Sequence, residues 1–176
     1  CSSDLVCFSL GCETGALEKA CASYPGIERR FQRIPTKKGI LVIDDYAHNP
    51  EKVRSVLMTA QKISPTILAI FQPHGFGPTK FLMNEFISAF RQTLRPSDTL
   101  YLSPIYYAGG TAKKDVSSAD IAEGLKDCGA KIIVLQKRED AIASIAKTAK
   151  SGNIILSMGA RDPSLSRFAQ AIAEAI

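Results

Sequence analysis

The run Asp44-Asp45-Tyr46-Ala47-His48-Asn49-Pro50 places two carboxylates, a phenol, an imidazole and a carboxamide within one short segment. Groups of these types accept and transfer protons, and a carboxylate can also hold sugar hydroxyls. A second segment, Gln72-Pro73-His74-Gly75-Phe76-Gly77-Pro78-Thr79-Lys80, joins the other histidine of the chain to two glycines and a lysine. A third, Met158-Gly159-Ala160-Arg161-Asp162-Pro163, sets a guanidinium just ahead of an expected helix. A cation there opposes the helix dipole, which makes a bound anion an attractive partner. Plainer roles are open to each residue. Asp45 or Asn49 would serve as cap of the helix that begins at Pro50. Either histidine would brace a loop, Tyr46 would pack beneath one, and the glycines would supply a turn with positive φ.

Those segments need elements to hold them, and the hydrophobic pattern supplies a regular series. Short apolar runs at Ile40–Asp44, Thr66–Phe71, Asp98–Ser103, Lys131–Leu135 and Asn153–Ser157 predict strands. Helical periodicity predicts helices over Pro50–Ile63, Thr79–Leu94, Ser118–Cys128, Glu139–Lys150 and Pro163–Ile176, the third capped by Ser117 or Ser118. Such alternation specifies an α/β fold, a doubly wound, Rossmann-like and mostly parallel sheet with helices on both faces. In sheets of this kind ligands bind outside the carboxyl ends of the strands. All three reactive segments fall at carboxyl ends, as does Pro104–Thr111, with Tyr106, Tyr107, Gly109 and Gly110. The opposite loops (Ser64-Pro65, Arg95-Pro96-Ser97, Gly129-Ala130, Ser151-Gly152) are short and plain. The first 38 residues do not follow the rhythm: Thr14–Tyr24 reads as a helix, and GIERRFQRIPTKKG as an extended basic connector.

Composition narrows the function. A chain of 176 residues with 45% hydrophobic content supports one domain, with room for a fragment of another. The net charge of +5 comes from 22 scattered basic and 17 acidic residues, which suits small anions in a cleft better than a nucleic acid. Five cysteines form no CxxC pair and no familiar zinc spacing, so free cytosolic thiols and no metal site are expected. No apolar run approaches the ~20 residues of a membrane span, and no signal peptide is evident, which makes the cytoplasm the expected location. A start at Cys1 rather than Met points to a piece of a longer chain. P-loop, G-x-G-x-x-G, G-x-S-x-G and paired-histidine motifs are all absent, so the chain has a binding edge without a complete catalytic kit.

Three ordered motifs, GIERRFQ, VIDDYAHNPEKV and AIFQPHGFGPTKFLMNEF, resemble the Mur ligases, the ATP-dependent amino-acid ligases of peptidoglycan precursor synthesis. Their wording is most similar to the muramate–alanine ligase branch. SPIYYAGGTAKKDVSS and ILSMGARDPS extend the likeness over nearly the whole chain. The resemblance implies residues 1–38 as the end of a central ATPase domain and hinge, and 39–176 as the C-terminal α/β domain. It implies ATP and Mg as cofactors, Mg being bound mainly by the central domain. The implied substrates are a UDP-N-acetylmuramoyl acceptor and an amino acid or peptide, joined through an acyl phosphate. The other domains of the same chain are the implied partners. His48 is the implied catalytic residue, and Arg30, Asp45, Tyr46 and Asn49 are the implied nucleotide side, with Asp45 on the ribose. His74, Lys80 and Arg161 are the implied substrate side. Where that branch carries two arginines, this chain has Gly75 and Pro78, and Gly109-Gly110 replaces charged residues. The nucleotide half therefore reads as kept and the amino-acid half as rebuilt, with Arg161 a candidate to restore the lost charge. Two alternatives stand beside this reading: a non-catalytic nucleotide or sugar-nucleotide binding module, and a folylpolyglutamate synthase type of ligase.

Overall fold

The computed structural model describes residues 2–36 and 38–176. Two short helices, α1 (Ser2–Ser9) and α2 (Thr14–Ser23), precede a six-stranded sheet. The strands are β1 (Gln32–Pro35), β2 (Leu41–Asp45), β3 (Ile67–Gln72), β4 (Thr99–Leu102), β5 (Lys131–Val134) and β6 (Ile154–Gly159). Their spatial order is β1-β2-β6-β3-β4-β5, with β1 antiparallel to β2 and every other pairing parallel. The five expected parallel strands are present. The basic connector supplies a sixth, β1, whose half-buried pattern on a sheet edge left only a weak trace in the sequence.

The central strands β3 and β6 are buried at every position, because helices cover both faces of the sheet. On one face lie α3 (Pro50–Gln61), α5 (Met83–Thr93) and α6 (Ser118–Glu123), which contribute Val53, Leu57, Phe86, Phe90 and Ile121 to the core. Phe71 of β3 meets the Phe86 and Phe90 rings at centroid distances of 5.1 and 5.4 Å. On the other face α7 (Asp140–Thr148) and α8 (Leu165–Ala175) bury Ala141, Ile145, Phe168 and Ile172.

The helix expected over Thr79–Leu94 is two helices, α4 (Phe76–Phe81) and α5, separated at Leu82, where φ −98° and ψ 14° leave the helical region. At about 100° per residue, Phe81 would face away from Phe86 and Phe90 even in one continuous helix, and its ring is 82% exposed. Ser117 caps α6, and the Asp120 carboxylate accepts the Ser117 backbone N–H at 2.7 Å.

The plain end of the sheet is less plain than its loops suggest. Asp98, buried there, accepts hydrogen bonds from Ile67 N–H, Arg95 N–H and the Arg95 guanidinium, which ties the α5–β4 connection to the start of β3. Such a satisfied buried carboxylate is a structural clamp.

Candidate functional site

Strand order decides which reactive segments meet. Because β6 lies between β2 and β3, Met158 is in register with both Asp45 and Phe71, and Gly159 with Gln72. The loop after β6 therefore sits between the DDYAHNP loop and the His74 loop. Little room is left for a side chain at Gly159. A Cβ there would lie 2.9 Å from Leu165 Cδ1 and 3.2 Å from the Gln72 carbonyl oxygen.

In the first loop each side chain has a definite task. Asn49 is the N-cap of α3, its Oδ1 accepting Lys52 N–H at 2.9 Å, with Pro50 at the first helical position. Asp45 is not a cap. Its Oδ2 accepts Phe31 N–H at 2.7 Å and its Oδ1 accepts Ala47 N–H at 2.8 Å, which pins the Arg29–Phe31 segment to the end of β2. His48 Nδ1 lies 2.8 Å from the Tyr46 carbonyl oxygen. A carbonyl only accepts, so Nδ1 carries the proton and Nε2 presents a free lone pair.

The residues just ahead of β1 complete one wall. Arg29 and Phe31 hold positive φ values of 55° and 52°. Arg29 was not singled out by its motif, yet it is the better anchored arginine. Its Nη2 donates to the Gly159 carbonyl at 2.7 Å, its Nε lies 3.4 Å from Asp44 Oδ2, and its guanidinium lies 4.9 Å from the Tyr46 ring centroid. Arg30 is exposed, with its guanidinium 5.7 Å from the same ring. A shallow cleft of about 310 Å³, lined by Arg30, Phe31, Asp45, Lys52, Ser55, Val56 and Thr59, opens beside it.

Asp44 is fully buried, and burial pushes its carboxyl above the usual carboxylate range against the pull of Arg29 and Ser166. The two adjacent carboxylates thus diverge. Asp45 braces backbone, while Asp44 faces the core side of the Arg29 guanidinium.

On the other side of Tyr46 the two histidines come together. The His48 and His74 rings are 5.8 Å apart in an edge-to-face arrangement, and Tyr46 meets His48 in the same manner at 5.3 Å. A cleft of about 190 Å³ lies against them, lined by His48, Asn49, His74, Pro78, Thr79, Leu82 and Phe86. Burial lowers the pKa of His74, and the neighbouring His48 and Arg161 lower it further. Arg161, with φ 63°, donates its backbone N–H to the Tyr46 hydroxyl at 3.3 Å.

Lys80 stands apart from this group. Its exposed ammonium pairs with Asp115 at 2.6 Å, and Pro78 and Thr79 line the small cleft instead. Nearby, Lys114 Nζ lies 4.7 Å from the Tyr107 ring centroid, and Phe76 meets Tyr107 edge-to-face at 5.4 Å. Gly75 has φ 72° and ψ 126°, and a Cβ there would lie 3.2 Å from Pro78 Cδ. Gly75→Arg is therefore expected to lower unfolding stability by about 1–3 kcal/mol through backbone strain, as measured by urea denaturation.

The carboxyl edge thus carries two clefts, with Tyr46 between Arg30, which lines one, and His48, which lines the other. Residues 29–161 match the family model described as "Mur ligase, glutamate ligase domain". The chain belongs to the Mur ligase family. A UDP-N-acetylmuramate–L-alanine ligase of Acetivibrio thermocellus is 36% identical over 157 residues, covering 89% of this chain and 33% of that protein. The Mur ligase fold appears in a solved UDP-N-acetylmuramate–alanine ligase from Thermotoga maritima, with TM-score 0.68 and 24% identity over 97% of this chain and 35% of that one. It appears again in a MurF ligase from Thermotoga maritima in complex with ADP, with TM-score 0.64 and 18% identity over 97% of this chain and 36% of that one. The chain spans about a third of the length of these relatives.

Proposed function

We propose that this chain is the amino-acid-presenting part of an ATP-dependent ligase that joins an amino acid or peptide to a UDP-N-acetylmuramoyl acceptor. In this reading residues 1–38 end a central ATPase domain and form the hinge, and 39–176 form the C-terminal domain. The observation that carries it is the imidazole pair, His48 and His74, which together line the small cleft on the carboxyl edge. The family match and the relative that acts on UDP-N-acetylmuramate and L-alanine support it.

ATP supplies a phosphoryl group that activates the acceptor carboxylate, and Mg is assigned chiefly to the rest of the protein. The cleft at Arg30, Phe31 and Asp45 fits part of a nucleotide. It is open, flanked by an exposed guanidinium, and Asp45 keeps a spare lone pair on each oxygen for ribose hydroxyls. Tyr46 divides this nucleotide side from the substrate side. The small cleft orients the amine, and its apolar floor of Leu82 and Phe86 excludes water from the reacting groups. His48, with Nε2 unprotonated, takes the proton that the amine releases on attack. Arg161 draws the substrate carboxylate in place of the arginines missing at Gly75 and Pro78. An ATP-consuming reaction of this kind belongs to the cytoplasm.

The test is ADP release by the full-length protein with ATP, Mg, UDP-N-acetylmuramate and a panel of amino acids. Amine-dependent turnover is expected, and His48→Ala is expected to lower it by about 10²–10⁴-fold. ATP binding without ADP formation on any acceptor would favour the nucleotide-binding module instead, the reading to which the replaced arginines lend support.

A further inference from the structure

The turn that carries Arg161 is strained, and a largely buried ion network centred on Arg138, which lies outside every motif, holds it in place. Asp162 N–H donates to the Ala160 carbonyl at 2.8 Å across Arg161, whose φ is 63°. This three-residue turn with positive φ is the rarer γ-turn, a conformation that persists only where the surroundings over-determine it. The surroundings here are specific. Arg138, in the loop between β5 and α7, donates Nη1 to Asp162 Oδ2 at 2.7 Å and to Gln72 Oε1 at 3.0 Å. Its Nη2 reaches Ser164 Oγ at 3.0 Å, and its guanidinium lies 4.7 Å from the Phe168 ring centroid. Gln72 Nε2 in turn donates to Asp162 Oδ2 at 3.1 Å, and Ser164 N–H donates to Asp162 Oδ1 at 2.9 Å. Burial raises the Asp162 carboxyl, yet the bonds from Ser164 and Gln72 and the Arg138 charge outweigh it and leave the pKa below the ordinary range.

We propose that Arg138 is a positioning residue for the substrate side of the site: through Asp162 and Gln72 it locks the γ-turn that sets Arg161 beside Tyr46 and His74. Its relevance to catalysis rests on the ligase reading above. Three strand ends meet in this one network: Gln72 closes β3, Asp162 follows β6, and Arg138 follows β5. A buried Arg–Asp pair adds little stability in itself, since desolvation offsets most of the attraction. What it adds is a single orientation, because a planar guanidinium with two partners on each terminal nitrogen, Asp162 and Gln72 on one and Ser164 and the exposed Glu139 on the other, tolerates little rotation. The turn it holds also presents the Gly159 carbonyl to Arg29 and the Arg161 N–H to Tyr46. Arg138 therefore acts on a turn that touches both Arg29 and Tyr46.

The chain has only two histidines, so each imidazole can be followed by NMR titration. The groups that act on His74 are His48, from the β2 loop, and Arg161, from the β6 turn. In Arg138→Met/Asp162→Asn, which removes both buried charges together, the His74 midpoint is expected to rise part of the way toward about 6.5, as the Arg161 charge leaves its side. Arg161→Ala is expected to produce the same rise. Arg138→Lys, which keeps the charge but not the forked geometry, is expected to give a smaller one. A folded double variant whose His74 midpoint stays put overturns the proposal and reduces Arg138 to a structural brace. If the double variant does not fold, Arg138→Lys decides by the same midpoint, and no rise overturns it. These midpoints are read without turnover. Movement of His74 in a protein that forms no ADP would sink the ligase reading alone, and ligase activity with an unmoved His74 would sink the positioning role alone.

Discussion

Arg29→Met is expected to destabilise the chain by about 3–5 kcal/mol at neutral pH, measured by urea unfolding. Asp44 is fully buried, and Arg29 is the cation beside it, at 3.4 Å. Removing that cation leaves the carboxylate either ionised without a counter-charge or forced to take up a proton, and each outcome is costly. The variant also loses the bond to the Gly159 carbonyl and the contact with the Tyr46 ring. Acid should shrink the deficit, because a protonated Asp44 needs no cation. The sign follows from the raised pKa of Asp44. A carboxyl whose folded pKa exceeds its unfolded value contributes stability that is fully present below the unfolded pKa. That contribution is lost as pH rises through the folded pKa. Asp44→Asn should therefore flatten this part of the pH–stability curve, and Arg29→Met/Asp44→Asn should recover most of the stability lost in Arg29→Met. A deficit that persists unchanged in the double variant would show that Arg29 matters through Gly159 and Tyr46 rather than through Asp44.

The second large effect is expected at Asp45. Asp45→Ala removes two charge-assisted acceptors at once, from Phe31 N–H and Ala47 N–H, and should lower stability by about 2–4 kcal/mol. Asp45→Asn keeps one acceptor but turns an amide donor toward the other N–H, so roughly half of that loss is expected. On the ligase reading, the same substitutions in the full-length protein should weaken ATP binding, measured by calorimetry, because Arg30 and Phe31 line the same cleft and lose their tether. Weakened ATP binding with unchanged stability would instead favour a direct ribose contact and no clamp. Unchanged ATP binding alongside the stability loss would confine Asp45 to a structural role.

Arg29 and Asp45 illustrate why part of the site escaped a reading of the chain alone. The motif GIERRFQ drew attention to Arg30, the exposed arginine, while the buried partner of Asp44 is its neighbour. Two adjacent arginines look alike in sequence. Only the positive φ values at Arg29 and Phe31 decide which one turns inward. Lys80 shows the converse. Its place in the sequence assigns its charge to the His74 loop, but Asp115, 35 residues away, holds it in an exposed pair. Arg138 left no trace, since a half-buried arginine and a surface arginine ahead of a helix have the same letters around them.

What the sequence determined by itself is the part set by local periodicity. Apolar runs of strand length alternating with amphipathic helices specified the five parallel strands and the edge on which the chemistry lies. Asn49-Pro50 carried its own helix start, because a cap and a proline act within one turn. Tertiary structure decided which loops touch. The last parallel strand, β6, inserts between β2 and β3, so a turn more than 110 residues after Tyr46 closes over it. Strand order depends on crossovers that bury both faces of a sheet, and that burial is summed over the whole chain. No window of neighbouring residues contains it, and the meeting of His48, His74 and Arg161 follows from it alone.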